Sequence, residues 1–390
     1  MSRIYLDHNA AAPPLAAAVA ACRGVAEQGG WGNPHSAHHE GRAARAAMER
    51  ARDEVAGMVD VPADAVVFTS GGAEGVHMAV MGLARARRAP RRSRLVVSGL
   101  EHAATGGAVA ALQREGFELT VVPPARDGRV DAGRFLAACD QATAVAVLLA
   151  AHNETGVLQP VNEVAAALKD TGTPLVVDAV QAPGRCRQIV PEGAHVVGVL
   201  SSHKFGGLAG AGAVIVSPRC LLVPLLADGE GGRRRRAGTP PLALIAAMGA
   251  AASSASRRLD AAMTRMRELR DHLESRLLEE LPDIEVIGHR APRLPNTSAV
   301  RLAGVVGEDL VAALDLAGVS VSTGAACATG SNRASASLRS MGYPADQARE
   351  MVRFSLGPRT RLDEIEAAAR LTIGAVKRLR TFQPDGMLVE

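Results

Sequence analysis

Residues 196–207 read Val-Val-Gly-Val-Leu-Ser-Ser-His-Lys-Phe-Gly-Gly, an apolar run that stops at hydroxyls, a histidine, a lysine and glycines. An apolar run this short suits a strand buried on both faces. The same punctuation occurs four times upstream. Val66-Val67-Phe68-Thr69 precedes SGGAEG, residues 95–97 precede SGLEH, residues 144–149 precede AAHNETG, and residues 175–177 precede DAVQ. Ala-rich segments of helical length, such as residues 161–169, lie between several of them. Alternating strands and helices predict an α/β fold with a mostly parallel sheet covered by helices. Polar residues gathered past the strand ends mark the carboxyl edge, where open α/β sheets bind ligands.

The 390 residues exceed one compact core and predict two domains. Character changes near residue 250. Before it stands GEGGRRRRAGTPP; after it, residues 246–281 read as one long amphipathic helix. NTSAVRL, GVSVS and MVRFSL then read as strands between helices, so the C-terminal third is expected to be α+β. The expected division is a large α/β domain over 14–250 and a smaller one built from 1–13 and 251–390.

Aromatic residues are only 2% of the chain, which excludes extensive stacking on bare nucleic-acid bases. The net charge of +4 permits a weak attraction to anions without requiring one. No apolar run reaches membrane-spanning length, and the first residues lack a signal-peptide core, so a cytoplasmic protein is expected. Five cysteines, Cys22, Cys139, Cys186, Cys220 and Cys327, form no CxxC pair. An odd count argues against a disulfide framework and for free thiols.

Lys204 directly follows a strand and is flanked by small and hydroxyl residues. Desolvation there lowers an amine's pKa, and an unprotonated amine can form a Schiff base. Asp178, at the end of PLVVDAVQ, is placed to face a pyridinium nitrogen; as a helix N-cap it would be equally ordinary. Gln181 lies three residues on, within reach of a ring hydroxyl. His102 offers a flat imidazole for stacking or proton transfer. SGGAEG, after a strand and before a helix, offers the backbone N–H groups of Gly72 and Ala73 to a phosphate.

These motifs, with YLDHNAAAP, GNPHSAH, AGT, RLPNTSAV, STGAACATG and RFSLG, occur in an order that resembles the cysteine desulfurases. Those are class V aminotransferase relatives among the fold-type I pyridoxal-phosphate enzymes. The resemblance spans nearly the whole chain and implies a seven-stranded, mostly parallel sheet with a smaller α+β domain. By that resemblance Lys204 is the Schiff-base lysine, Asp178 the pyridinium partner, Gln181 the ring-hydroxyl partner and His102 the stacking histidine. Asn153 is a further cofactor contact, and Ser201 and His203 bind phosphate beside the lysine. Thr239 reaches the phosphate of a neighbouring subunit, implying a homodimer. Arg353 clamps the substrate carboxylate, with Asn33 of GNPHSAH also at the substrate. Cys327 takes sulfur from L-cysteine as a persulfide and leaves alanine, as in the branch with a longer cysteine loop. A sulfur-acceptor protein is implied, with an iron–sulfur scaffold, a tRNA-thiolation partner and the DNA phosphorothioation machinery all compatible.

Some positions depart from the family pattern. Ala73 stands where Thr is frequent, His8 and His152 where Asn is frequent, and Ala11 and Ala12 where a Thr pair is frequent. Cys186, between Arg185 and Arg187, is the rival thiol, because flanking cations favour thiolate. Arg233, Arg234, Arg235 and Arg236 read first as a solvated run. His35, His38 and His39 do not read as a metal site, although Cys327 can serve as a transient iron–sulfur ligand. The alternatives are a selenocysteine lyase or aminotransferase on the same fold, or a degenerate interaction module.

Overall fold

The computed structural model describes residues 3–27, 31–89, 92–227, 235–324 and 334–382. Among the described residues twelve strands run in chain order: β1 (Ile4–Tyr5), β2 (Val66–Thr69), β3 (Arg94–Ser98), β4 (Glu118–Val122), β5 (Thr143–Leu149), β6 (Leu175–Asp178), β7 (Val196–Ser201), β8 (Gly212–Val216), β9 (Ile284–Val286), β10 (Thr297–Leu302), β11 (Val319–Ser320) and β12 (Met351–Ser355). Seven form the main sheet, in the order β2-β8-β7-β6-β5-β3-β4. The pairs β3–β4, β3–β5, β5–β6 and β6–β7 are parallel, while β8 is antiparallel to both of its neighbours. All five strands expected from the apolar runs are present in it. The edge strand β4, whose residues are mostly part-exposed, and the reversed β8 are additions.

The apolar runs are continuous because both faces are covered. Along β5, Ala146 and Leu148 pack into one core, whereas Val145 and Val147 pack into the other. This is the alternation of a pleated strand with a hydrophobic layer on each side. Gly75, in the helix Gly72–Arg87, shows how closely one layer lies: a Cβ there would come within 2.7 Å of Val199 Cγ1.

The long helix spans Leu242–Glu280, beginning four residues before its expected start. At 1.5 Å per residue its 39 residues extend about 58 Å. Ile245 and Met248 join the core of the main sheet, whereas Leu269, Leu273 and Leu277 join a separate core with Val300, Phe354 and Ile365. That second core supports the antiparallel sheet β12-β10-β9 and the small pair β1-β11. Bridges from Asp7 to Ser355 and from Ser322 to Arg353 join these two smaller sheets. Arg353 thereby comes to the carboxyl edge of the main sheet although it lies 149 residues after Lys204 in the chain.

Candidate active site

The carboxyl ends of β3, β5, β6 and β7 and the first turn of the helix Gly72–Arg87 surround a cavity of about 310 Å3. It is lined by Gly72, Ala73, His102, Asn153, Asp178, Gln181, Ser201, His203, Lys204 and Arg353, ten residues singled out from the sequence. Asn9, Ala10 and Gly324 also line it.

Lys204 ends a single 3-10 turn that follows β7 directly. Gly206, at φ +91°, lets the chain reverse where a side chain would be strained. The Lys204 ammonium donates to Asn9 O at 2.7 Å and Ala10 O at 2.8 Å. Burial, reinforced by the charges of Arg185 and Arg353, pushes its pKa down to about 8. Asp178 and Asp7 oppose the shift without cancelling it.

Asp178 is 8% exposed, and its Oδ1 accepts from Val180 N–H at 3.1 Å. Burial pushes its pKa up, outweighing the Val180 N–H and the nearby His102 and Lys204, and no Arg or Lys forms an ion pair with it among the described residues. Its carboxylate therefore lines the cavity without a cationic hydrogen-bond partner. His102 caps the helix Ala103–Arg114, its Nδ1 accepting from Ala104 N–H at 3.1 Å. An accepting Nδ1 places the neutral ring's proton on Nε2.

Ser201 Oγ and His203 Nδ1 lie 3.1 Å apart, and burial lowers the His203 pKa. They stand opposite the start of the helix Gly72–Arg87, whose first-turn N–H groups lack intrahelical acceptors. A Cβ on Gly72 would approach Val180 Cγ2 to 3.0 Å and Ser201 Cβ to 3.4 Å, so a glycine keeps this cradle open. Anion-binding N–H groups at one end and an unpaired carboxylate at the other match a group bearing a phosphate and a protonatable ring nitrogen. A lysine with a depressed pKa lies in the same cavity. The residues present fit pyridoxal phosphate.

Gln181 is more constrained than its sequence position implied. Its Nε2 donates to Asn9 O at 3.0 Å, and its Oε1 accepts from Arg185. Arg353, 2% exposed, donates through Nη1 to Asn153 O at 2.9 Å and through Nη2 to Asp7 Oδ1 at 2.5 Å. Its Nε is buried with no acceptor among the described residues. Asp7, Asn9, Glu154 and Arg185 were not singled out from the sequence. Asp7 and Asn9 lie in YLDHNAAAP and Glu154 in HNETG, so the motif text carried them, but their roles depend on distant partners.

Two expected members are not in this cavity. Thr239 is exposed and Asn33 is exposed, with Asn33 Oδ1 accepting from His35 N–H at 2.9 Å. Cys327 lies outside the described residues, as do Arg233 and Arg234. The described part of the arginine run differs from a solvated face: Arg236 Nε lies 2.9 Å from Glu74 Oε1, with both side chains largely buried. Cys186 is corrected as a rival thiolate. Burial pushes it up to about 11, outweighing the adjacent Arg185. His38 caps the helix His39–Val59 through Nδ1.

The sequence pattern of the class-V aminotransferases matches residues 4–368. The cysteine desulfurase of Cereibacter sphaeroides is 36% identical over 99% of this chain and 99% of its own. Cysteine desulfurase IscS of Dictyoglomus turgidum is 33% identical, over 98% of this chain and 96% of its own. The chain belongs to the cysteine desulfurases of the class-V aminotransferase family. Among solved structures, a NifS-like protein superposes with a TM-score of 0.88 at 26% identity, covering 96% of this chain and all of that one. The resemblance drawn from motif order is thus borne out, as is the fold class. Pyridoxal phosphate is the cofactor of this cysteine desulfurase family.

Proposed function

We infer that this chain is a pyridoxal-phosphate-dependent cysteine desulfurase that converts L-cysteine to L-alanine and leaves the sulfur as a persulfide on Cys327. The observation that carries the reading is the meeting of Lys204, Asp178, His102 and Arg353 around one cavity. It makes a degenerate, cofactor-free module an unsuitable description.

When bound, pyridoxal phosphate supplies an electron sink for the charge that develops at the substrate α-carbon. Asp178 would hold the positive charge on the ring nitrogen, and His102, on the same cavity wall, would help hold the ring. Gly72, Ala73, Ser201 and His203 hold the phosphate. Arg353, which lines the cavity, orients the substrate carboxylate. Lys204, with a pKa near 8, is neutral often enough at physiological pH to take the α-proton and return it later.

The sulfur step belongs to Cys327. Its thiolate attacks the substrate sulfur; the S–S bond forms as the substrate's C–S bond breaks, and the carbon skeleton is protonated and released as alanine. Support comes from the position of Cys327 three residues after Gly324, which lines the cavity. The four cysteines in the described residues are part-buried or buried, and three of them have pKa values near 11.

The proposed assembly is a homodimer in which Thr239 of one subunit serves the phosphate of the other, in keeping with its exposure and its absence from the lining of its own cavity. The proposed domain division remains 14–250 against 1–13 with 251–390. The persulfide passes to a sulfur-acceptor protein. No helix among the described residues is long and apolar enough to cross a membrane. The deciding experiment quantifies alanine and sulfide from L-cysteine for wild type and Cys327→Ser. Equal products, both lost in the variant, are expected; undiminished turnover in the variant overturns the assignment.

A further inference from the structure

Behind the lysine loop lies a second cavity, of about 230 Å3. Lys204 lines both this cavity and the cofactor cavity, and one strip of chain runs between the two. Asn9 and Ala10 line the front, whereas His8, Ala12 and Pro13 line the rear. The front of that partition holds the Lys204 ammonium through two backbone carbonyls. Its rear is continuous with an apolar surface that includes Leu15, Met266 and Leu356.

Charge around the rear cavity is unbalanced. Arg3, Arg185, Arg258 and Arg359 line it against a single carboxylate, Glu364. Arg3 is matched by Asp315, and Glu364 is engaged by Arg361 at 3.2 Å. Arg185 is 5% exposed and bonds only uncharged acceptors: Gln181, His8 O at 3.0 Å and Lys204 O at 3.1 Å. Arg185, Arg258 and Arg359 thus have no carboxylate partner among the described residues. Arg185 is enclosed, and a buried guanidinium without a counter-charge is costly, whereas Arg258 and Arg359 are exposed at the mouth and free to turn toward an anion. A concave, mostly apolar cavity with a few converging polar groups is the usual setting for a small ligand.

We propose that the rear cavity is a second binding site, for a small carboxylate with a short apolar body. The head group is taken by Arg258 and Arg359 at the mouth, and the body lies on Met266 and Leu356. It is separate from the substrate site assigned to Arg353, and only the design of its test rests on that assignment.

The test is calorimetric titration of hexanoate into holoenzyme saturated with L-alanine, which occupies the Arg353 side. One saturable site is expected, with hexanol about tenfold weaker for want of a charge-assisted hydrogen bond. The double variant R258A/R359A is expected to bind hexanoate about tenfold more weakly while keeping its desulfurase rate. Absence of saturable binding, equal affinity for hexanol, or wild-type affinity in the double variant would overturn the proposal. So would hexanoate binding that L-alanine abolishes, because the carboxylate would then lie in the front cavity.

Discussion

The hydroxyl of Ser335 donates to Oε2 of Glu154 at 2.6 Å, binding the chain just after the cysteine-bearing stretch to the loop that carries Asn153. Ser337 donates to the other carboxylate oxygen at 3.1 Å and contacts His152 Nε2 at 3.0 Å. On the near side of the stretch, a Cβ on Gly324 would fall 2.8 Å from Glu154 Cγ. One buried glutamate side chain therefore meets the chain on both sides of residues 325–333, through its stem at Gly324 and its carboxylate at Ser335 and Ser337. Glu154→Gln is expected to lose about 1–3 kcal/mol of stability, the usual loss for a charged hydrogen bond, measured by urea denaturation. Desulfuration is expected to fall further than exchange of the L-alanine α-proton, which needs Lys204 but not Cys327. Equal losses in both would limit Glu154 to a structural role.

The pKa of Lys204 predicts how apoenzyme takes up its cofactor. The neutral amine is the reactive form, so the rate of pyridoxal phosphate incorporation rises with pH and levels off above about 9. Between pH 7 and 8 the increase is about fivefold for a pKa near 8. A lysine with an ordinary pKa would keep gaining about tenfold per unit up to about pH 10. Stopped-flow absorbance of the enzyme-bound cofactor distinguishes the two profiles.

Glu101 supplies a stability prediction. Its Oε1 accepts from Ser98 Oγ at 2.6 Å and Leu149 N–H at 2.9 Å, while Oε2 is buried without a partner among the described residues. Burial pushes its pKa up to about 8. A raised carboxyl pKa gives stability that is complete below the unfolded pKa and is lost as pH rises through the folded one. Wild type is thus expected to weaken relative to Glu101→Gln between about pH 5 and pH 8.5, by about 3–5 kcal/mol. Thermal unfolding of both proteins across that range checks it; a constant difference would refute it.

Arg353→Lys tests the substrate clamp. A lysine offers no planar fork, leaving Asn153 O, Asp7 and the incoming carboxylate to compete for one ammonium. KM for L-cysteine is expected to rise at least about tenfold, a loss of about 1.4 kcal/mol in binding. A change in kcat alone would place Arg353 elsewhere in the reaction.

The main sheet and the cofactor residues were legible because their information is local. An apolar run ending in a polar cluster needs only its own residues to become a buried strand with functional groups at its tip, and β2, β3, β5, β6 and β7 each do this. Asp178 ends such a strand, and Lys204, His102 and Gly72 each follow one within four residues, so strand geometry delivers them to one edge. The reversed β8 was not legible, since nothing in GAVIV distinguishes an antiparallel neighbour from a parallel one.

What the sequence by itself determined was therefore the α/β class, the carboxyl-edge site and the family. Tertiary structure alone decided which charges meet. Cys186 looked activated beside two arginines, but enclosure by the core raises its pKa more than one neighbouring guanidinium lowers it. Arg353 needed β12 to pack beside the N-terminal strip before Asp7 and Asn153 could reach it. The partition between the two cavities likewise exists only when residues 8–13 lie against the lysine loop. Desolvation and long-range contact depend on what surrounds a residue in space, and a linear pattern of residue types does not contain that information.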